Sequence, residues 1–452
     1  MNLAQALRLL PPPSFPSALA WERRPLTLAL SGAGGKTSAL FQLARQLSGS
    51  LFPAVLVTTT THLGVWQTAG ADRHLTVASR ADLDSLEDTL PPGVTLVSGP
   101  PVDDRLTGLA ADDLMWLHEM CRRRAIPLLI EADGARRRAL KAPADYEPLI
   151  PACAESVVVL AGLLGLGQPP TEATVHRPEH FARLSRLKPE EAITAEAVTR
   201  VLLHPEGGLK GIPAGARRVA LLNQADTPAL QAVGGKIASA LLGTYQAVVV
   251  AALQTEEVFS VYEQAAGIVL AAGGSSRFGQ PKQLLLWRGK PFVRQAAENA
   301  LAAGLAPVVV VSGAEAERIE AAVQDLPVKI VRNAAWQSGQ SSSLRAGLAA
   351  LPETAGAAIF LLADQPQVPP TLLRALVEAH RRGLPPILAP QVGGQRANPV
   401  LFDRLTFPAL QELRGDVGGR ALFSRFPLAY LPWHDESLLV DVDSPSDLGR
   451  LP

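Results

Sequence analysis

Short apolar runs, each closed by glycine or a small polar residue, recur along the whole chain. Leu26 to Leu30, Ala54 to Val57, Pro127 to Ile130, Ser156 to Ala161, Arg217 to Leu222 and Ala247 to Ala252 read this way in the first half. Ile268 to Ala272, Pro307 to Val311 and Ile359 to Leu362 do so in the second. Continuous apolar runs bounded by turn residues predict strands buried on both faces, as in parallel sheets. Ala39 to Leu47 and Pro291 to Ala303 carry helical spacing, residues 3–10 predict a short helix stopped by Pro11-Pro12-Pro13, and Leu438 to Val440 predicts a last strand. Strands alternating with helices predict an α/β protein with a mostly parallel sheet. The stretch from Gln254 to Ala266 is polar and acidic, and a fresh strand follows at Gly267. It therefore predicts a joint between two domains, residues 1–255 and 266–452.

Composition narrows the class. At 452 residues, 47% hydrophobic and 19% charged, the chain has ample core for two domains. Lys+Arg and Asp+Glu both number 42. A balanced charge argues against a nucleic-acid or membrane partner, so any basic site must be local. Only Cys121 and Cys153 are present, with no CxxC, which disfavours a disulfide scaffold or zinc site and fits a reducing, cytoplasmic location. The first residues lack a basic start followed by an apolar core, so no signal peptide is expected, and no apolar run is long enough to span a membrane.

In the second half, Gly267 to Gln283 combines a strand, the turn Gly273-Gly274-Ser275-Ser276, and the cations Arg277 and Lys282. Gly279 and Pro281 keep it out of helix. Backbone donors, hydroxyls and two cations make a polyphosphate cradle; a solvated glycine turn is the plainer alternative. Further on, the apolar run ends in Asp364, placed where an open α/β sheet would hold magnesium with a nucleotide. Asp441 and Asp443, alternating after the last strand, are candidates to join it. The serines Ser341, Ser342 and Ser343 open a helix and either cap it or face a ligand.

In the first half, a strand runs into Gly32-Ala33-Gly34-Gly35-Lys36-Thr37 and then a helix. That context is what a phosphate-binding P-loop requires, here in the shorter GxxGKT form. Gly34, Gly35 and Lys36 would hold phosphate and Thr37 magnesium. The run ending Glu131-Ala132-Asp133 is a Walker B arrangement, its acids orienting metal or water. Arg136, Arg137, Arg138 and Lys141 follow, a solvated face or an anionic substrate's site. Thr58 to Thr61 and His62 are either β-propensity and packing or metal and proton chemistry. Asn223-Gln224-Ala225-Asp226 resembles the Asn-Lys-x-Asp guanine reader of GTPases, with Gln224 in place of lysine.

Residues 267–449 resemble the molybdenum cofactor cytidylyltransferases, through LAAGGSSRFGQPKQLL, NAAWQSGQSSSLRAGL, LLADQPQV, RANPVLF, RGDVGGRAL and DVDSPSDL. Residues 25–255 are similar to the YqeC-like accessory proteins of selenium-dependent hydroxylases, through GAGGKTS, VLVTTTTHLG, EADGARRRALKAPA, VHRPE and LNQAD. The resemblances imply a P-loop NTPase-like domain followed by a Rossmann-like nucleotidyltransferase domain. The second would join CTP to molybdopterin and release pyrophosphate. Arg277, Lys282 and Asp364 would be catalytic, with Ala272, Gly273, Gly274, Ser276 and Ser342 on the nucleotide. Asp364 with Asp443 or Asp441 would hold Mg2+, and Asn398, Asp416 and Arg420 would face the pterin. The first domain would bind ATP or GTP through Gly34, Gly35, Lys36 and Thr37, with Glu131 or Asp133 assisting at magnesium. An apo molybdenum hydroxylase is the implied recipient of the cofactor.

Overall fold

The structure, a computed structural model, describes residues 1–12, 26–188, 190–274, 280–442 and 445–451. The chain forms two compact units, the first ending at Tyr262 and the second starting at Glu263. Residues 257–262, which the sequence places in a joint, form a strand of the first unit's sheet, antiparallel to Ala247–Ala252. Its first four residues are exposed or half-buried, as an edge position allows, while Val261 and Tyr262 are buried.

In the first unit the strands of one sheet run, by first residue, in the order Glu257, Ala247, Arg217, Ser156, Thr27, Leu128, Ala54, Gly93, Arg73. Apart from the Glu257 edge the neighbours are parallel. The strand Thr27–Gly32 lies at the centre, which explains its continuous apolar sequence. The helix Lys36–Ser48 follows it and buries Ala39, Leu40, Leu43, Ala44 and Leu47, a three- and four-residue spacing that gives one apolar stripe. Removing Leu40 or Leu43, both fully buried, would cost about 2–5 kcal/mol. The N-terminal helix spans only Leu3–Ala6, shorter than the sequence suggests, and its start is fixed by Asn2, whose side chain accepts from the Gln5 amide.

In the second unit the order is Lys329, Val308, Gln264, Ala355, Val400, Ile387, Gln395, with Leu428–Pro432 paired to Ile387–Val392. Gln264–Leu270 is parallel to both Val308–Ser312 and Ala355–Leu362. The chain builds outward on one side of Gln264–Leu270 and then crosses to Ala355 on the other. This reversal makes a crevice beyond the carboxyl ends of these two strands. Val400–Asp403 enters antiparallel. Apolar clusters cover both faces of the sheet, one around Val269, Val310 and Ile359 and one around Ile268, Val309 and Phe360. The expected last strand at Leu438 to Val440 is instead a 3-10 turn, Glu436–Leu439, capped by Asp435 through the Ser437 amide. Asp441 therefore does not follow a strand.

Candidate functional site

Each unit places chemistry at the carboxyl ends of its central strands. In the first, the loop from Gly32 to Gly35 links the central strand to a helix whose first N–H groups lack carbonyl partners from within the helix. The loop is fitted tightly. A Cβ at Gly32 would run into the Leu160 carbonyl, and Gly35, at φ 120°, lies against the Asn223 amide. The Gly32, Ala33 and Gly34 amides donate to Asp133 Oδ2, the Leu160 carbonyl and the Arg138 carbonyl at 3.1, 3.0 and 3.0 Å. What remains for an anion is the amino end of the helix, where Lys36 and Thr37 stand.

Lys36 is 4% exposed. Its Nζ donates to the Gly32 carbonyl at 2.6 Å and pairs with Asp133 at 3.2 Å. Thr37 Oγ1 donates to Glu131 Oε2 at 2.9 Å and accepts from Gln67 Nε2 at 2.8 Å. Burial raises the Glu131 pKa above its ordinary value, against the attraction of Lys36. Glu131 closes its strand, whereas Asp133 lies beyond the strand's end. The two acids therefore do not alternate on one strand. The turn sends Asp133 to Lys36 and leaves Glu131 at Thr37.

Lys141 does not join a solvated face. It is buried, pairing with Asp133 at 2.8 Å and with Glu147 at 2.7 Å, and Glu147 also pairs with Arg177 at 2.7 Å. Lys36, Asp133, Lys141, Glu147 and Arg177 thus alternate in sign along one chain, buried as far as Glu147 and ending on the half-buried Arg177. Burial alone would raise the Glu147 pKa, but the hydrogen bonds from Arg177 and Lys141 outweigh it and hold the carboxyl at about 2. Asn223 is a brace: its Nδ2 donates to the Gly34 carbonyl at 2.6 Å and its Oδ1 accepts from the Leu253 amide at 2.9 Å. Sequence reading missed Gln67 and Glu147 as members of this site. Gln67 carries no local signal, because it arrives from a 3-10 turn 30 residues away.

The second unit has a crevice of about 570 Å3 at the strand reversal. Ala272, Gly273 and Gly274 line it, as do Asp364 and Asp416. The Ala363 amide donates to the Leu270 carbonyl at 3.2 Å, which sets Asp364 next to the first strand's end. Gln283 Nε2 holds the Gly273 carbonyl at 2.8 Å, and the Trp336 ring lies against Gly274. Trp336 and Gln283 had no assigned role in the sequence reading. Asp416 Oδ1 accepts from the Gln340 amide at 3.2 Å at the start of the helix Gln340–Ala349.

Other expected residues are placed differently. Ser342 is turned inward, its hydroxyl donating to the Gly339 carbonyl at 2.8 Å and accepting from Asn333 at 2.8 Å; Ser343, next in sequence, lines the crevice. Asp441 accepts from the Gln365 amide at 2.6 Å and so stands beside the neighbour of Asp364. Lys282 lies in the turn Lys282–Leu284, while Asn398 is half-buried and Arg420 exposed; none of the three is part of the crevice lining. Ser276, Arg277 and Asp443 lie outside the described residues. Among the described residues no three Asp, Glu, His or Cys side chains gather as a metal group.

A crevice at a strand reversal, floored by a small-residue loop and edged by an acid, places the second unit among nucleotide-handling α/β domains. The family described as MobA-like NTP transferase domain matches residues 267–431, and the YqeC protein family matches residues 28–179. The chain belongs to both families, joining a YqeC unit to a MobA-like nucleotidyltransferase unit. It is 33% identical to the uncharacterized protein YqeC of Escherichia coli over 206 residues, 45% of this chain and 77% of that protein. It is 35% identical to the nicotine blue oxidoreductase of Paenarthrobacter nicotinovorans over 195 residues, 41% of this chain and 95% of that protein. The purine catabolism protein PucB of Bacillus subtilis is 31% identical over 201 residues, 40% of this chain and 92% of that protein. No helix among the described residues is long and apolar enough to cross a membrane.

Proposed function

We propose that the second unit transfers a cytidylyl group from CTP to molybdopterin and releases pyrophosphate. An oxygen of the pterin's terminal phosphate attacks the α-phosphorus of CTP, and the bond from that phosphorus to the β-phosphate bridge breaks. The observation that carries the reading is the crevice that unites Ala272, Gly273 and Gly274 with Asp364. The loop's backbone takes the nucleotide phosphates, and Ser343 lies at the same crevice. Oxygen donors suit Mg2+, and Asp364, with Asp441 beside Gln365 or with Asp443, would hold it. When bound, the ion neutralises charge on the triphosphate. Arg277 and Lys282 are assigned to the departing pyrophosphate, and Asp416, Asn398 and Arg420 to the pterin side. Positioning and charge neutralisation supply most of the acceleration in such transfers.

The first unit is read as an ATP- or GTP-binding domain that serves the same cofactor and its hand-over to an apo molybdenum hydroxylase. Lys36 leaves the Gly32 carbonyl for phosphate, while Thr37 and Glu131 supply hard oxygen donors for magnesium. Asp133 fits that ion less well, because the Gly32 amide, Lys36 and Lys141 already occupy its carboxylate. The test is transfer of α-phosphate label from each NTP to purified molybdopterin. CTP is expected to be the donor; equal use of GTP refutes the cytidylyl assignment. The Paenarthrobacter relative's name marks a redox activity of that protein, and an assay in which no nucleotide is consumed would bring that reading forward.

A further inference from the structure

Three arginines in the first unit sit in a backbone conformation that side chains other than glycine adopt only at a cost. They are Arg136 at φ 47°, Arg137 at φ 60° and Arg177 at φ 65°. Such outliers persist where surrounding structure holds them, and they cluster at functional sites. Here the two segments are held together by pairing of Leu140 with Val175 and of Lys141 with His176. The first segment is also fastened to the glycine loop, since the Gly34 amide donates to the Arg138 carbonyl at 3.0 Å.

Among the described residues the arginines of the first segment are not neutralised by carboxylates, although Arg137 lies over the Trp66 ring. Among the described residues Arg136, Arg137 and Arg138 form no ion pair, whereas Arg177 is anchored by Glu147. Burial, then Arg177 and Lys141 with a smaller part from Arg136, lower the His176 pKa to about 4 against the pull of Glu147. Two large aromatic side chains stand exposed beside arginines of these two segments. Trp66 is 62% exposed and has the Arg137 guanidinium 4.6 Å from its ring centre; Tyr146 is 71% exposed with Arg177 at 5.8 Å. Exposed aromatic faces each paired with a guanidinium offer a flat surface and a positive edge.

We propose that Arg136, Arg137 and Arg177, framed by Trp66 and Tyr146, form a second ligand site beside the glycine loop for a planar ring compound bearing a phosphate. The chain from Lys36 through Asp133, Lys141 and Glu147 to Arg177 then joins the two sites by direct ion pairs, so that both belong to one machinery. Isolated surface cations would need neither the strained backbone nor a buried lysine behind them.

The probe is flavin mononucleotide, with riboflavin and inorganic phosphate as the ring-only and phosphate-only controls. Binding is read by flavin fluorescence on the full chain, with CTP saturating the second unit. Flavin mononucleotide is expected to bind at least ~10-fold more tightly than either control, the size of one charge-assisted pair or one stacking contact. The double variant R136Q/R137Q should weaken it ~10-fold or more, and Trp66→Ala about 3- to 10-fold. Saturating ATP, which the proposed function places at the glycine loop, should not displace flavin mononucleotide. That separates this site from the nucleotide reading of the loop. The proposal is overturned if riboflavin or phosphate binds as well as the whole molecule, if R136Q/R137Q binds like the parent, or if no flavin mononucleotide binding is seen.

Discussion

The two units answer the same problem, a loop after a central strand, in different ways. In the first, the cation that follows the glycines is buried and already neutralised: Lys36 is held by the Gly32 carbonyl and Asp133, with Lys141, Glu147 and Arg177 behind. In the second, the loop from Ala272 to Gly274 opens on a crevice of about 570 Å3 edged by the acids Asp364 and Asp416. The first arrangement is preorganised by its own charges, so a ligand must exchange one set of partners for another. The second is an open crevice with two carboxylates among its lining residues. Preorganised charge suits a site that binds or gates; an open acidic crevice suits a two-substrate transfer.

The sharpest way to break this contrast is Asp364→Asn. It should lower nucleotidyl transfer ~10^3-fold, the scale of losing a central electrostatic group, with little effect on nucleotide turnover by the first unit. Pyrophosphate release and phosphate release, measured side by side, check both halves. Next in size is Lys141→Met, which leaves Asp133 and Glu147 with one cation each; unfolding of the first unit should cost about 3 kcal/mol less, seen as a lowered denaturant midpoint with the second unit's transition unmoved. Lys36→Ala should reduce nucleotide turnover by the first unit ~10^2-fold and leave cytidylyl transfer intact.

The smallest effect is on pH. The His176 pKa lies at about 4, below the ordinary 6.5, so the unfolded chain binds its proton more readily and stability falls as pH drops from 6.5 towards 4. The Glu147 carboxyl lies at about 2 against 4.5, so its contribution is complete above 4.5 and is lost as pH falls towards 2. Both act in the same direction. The first unit's melting temperature should be lower at pH 4 than at pH 7 by about 3–8 °C. A flat profile would contradict the lowered pKa values of His176 and Glu147.

The strands and the loops that follow them were legible because their apolar runs end on glycine and acid, a pattern set by local chemistry. The edge strand Glu257–Tyr262 was not, since the acidic pair Glu256-Glu257 at its start read as a joint and outweighed the apolar Val258, Phe259, Val261 and Tyr262 that follow. Ser342 and Ser343 are adjacent and chemically identical, and only the helix's orientation decides which of them faces the crevice. Lys141 was grouped with its arginine neighbours because nothing in RRRALK says that one cation turns inward to Asp133 and Glu147. Gln67 reaches Thr37 across a loop, a contact of tertiary origin. What the sequence could not convey was long-range partnership, which decides whether a polar group is spent on the protein or left for a ligand.

The most direct measurement is a single turnover with α-labelled CTP, molybdopterin and a slight excess of the full chain. The account predicts that label enters the pterin and pyrophosphate is released in equal amounts, close to one of each per CTP. CTP left intact, or cleaved with the label in free CMP and none in the pterin, would contradict it.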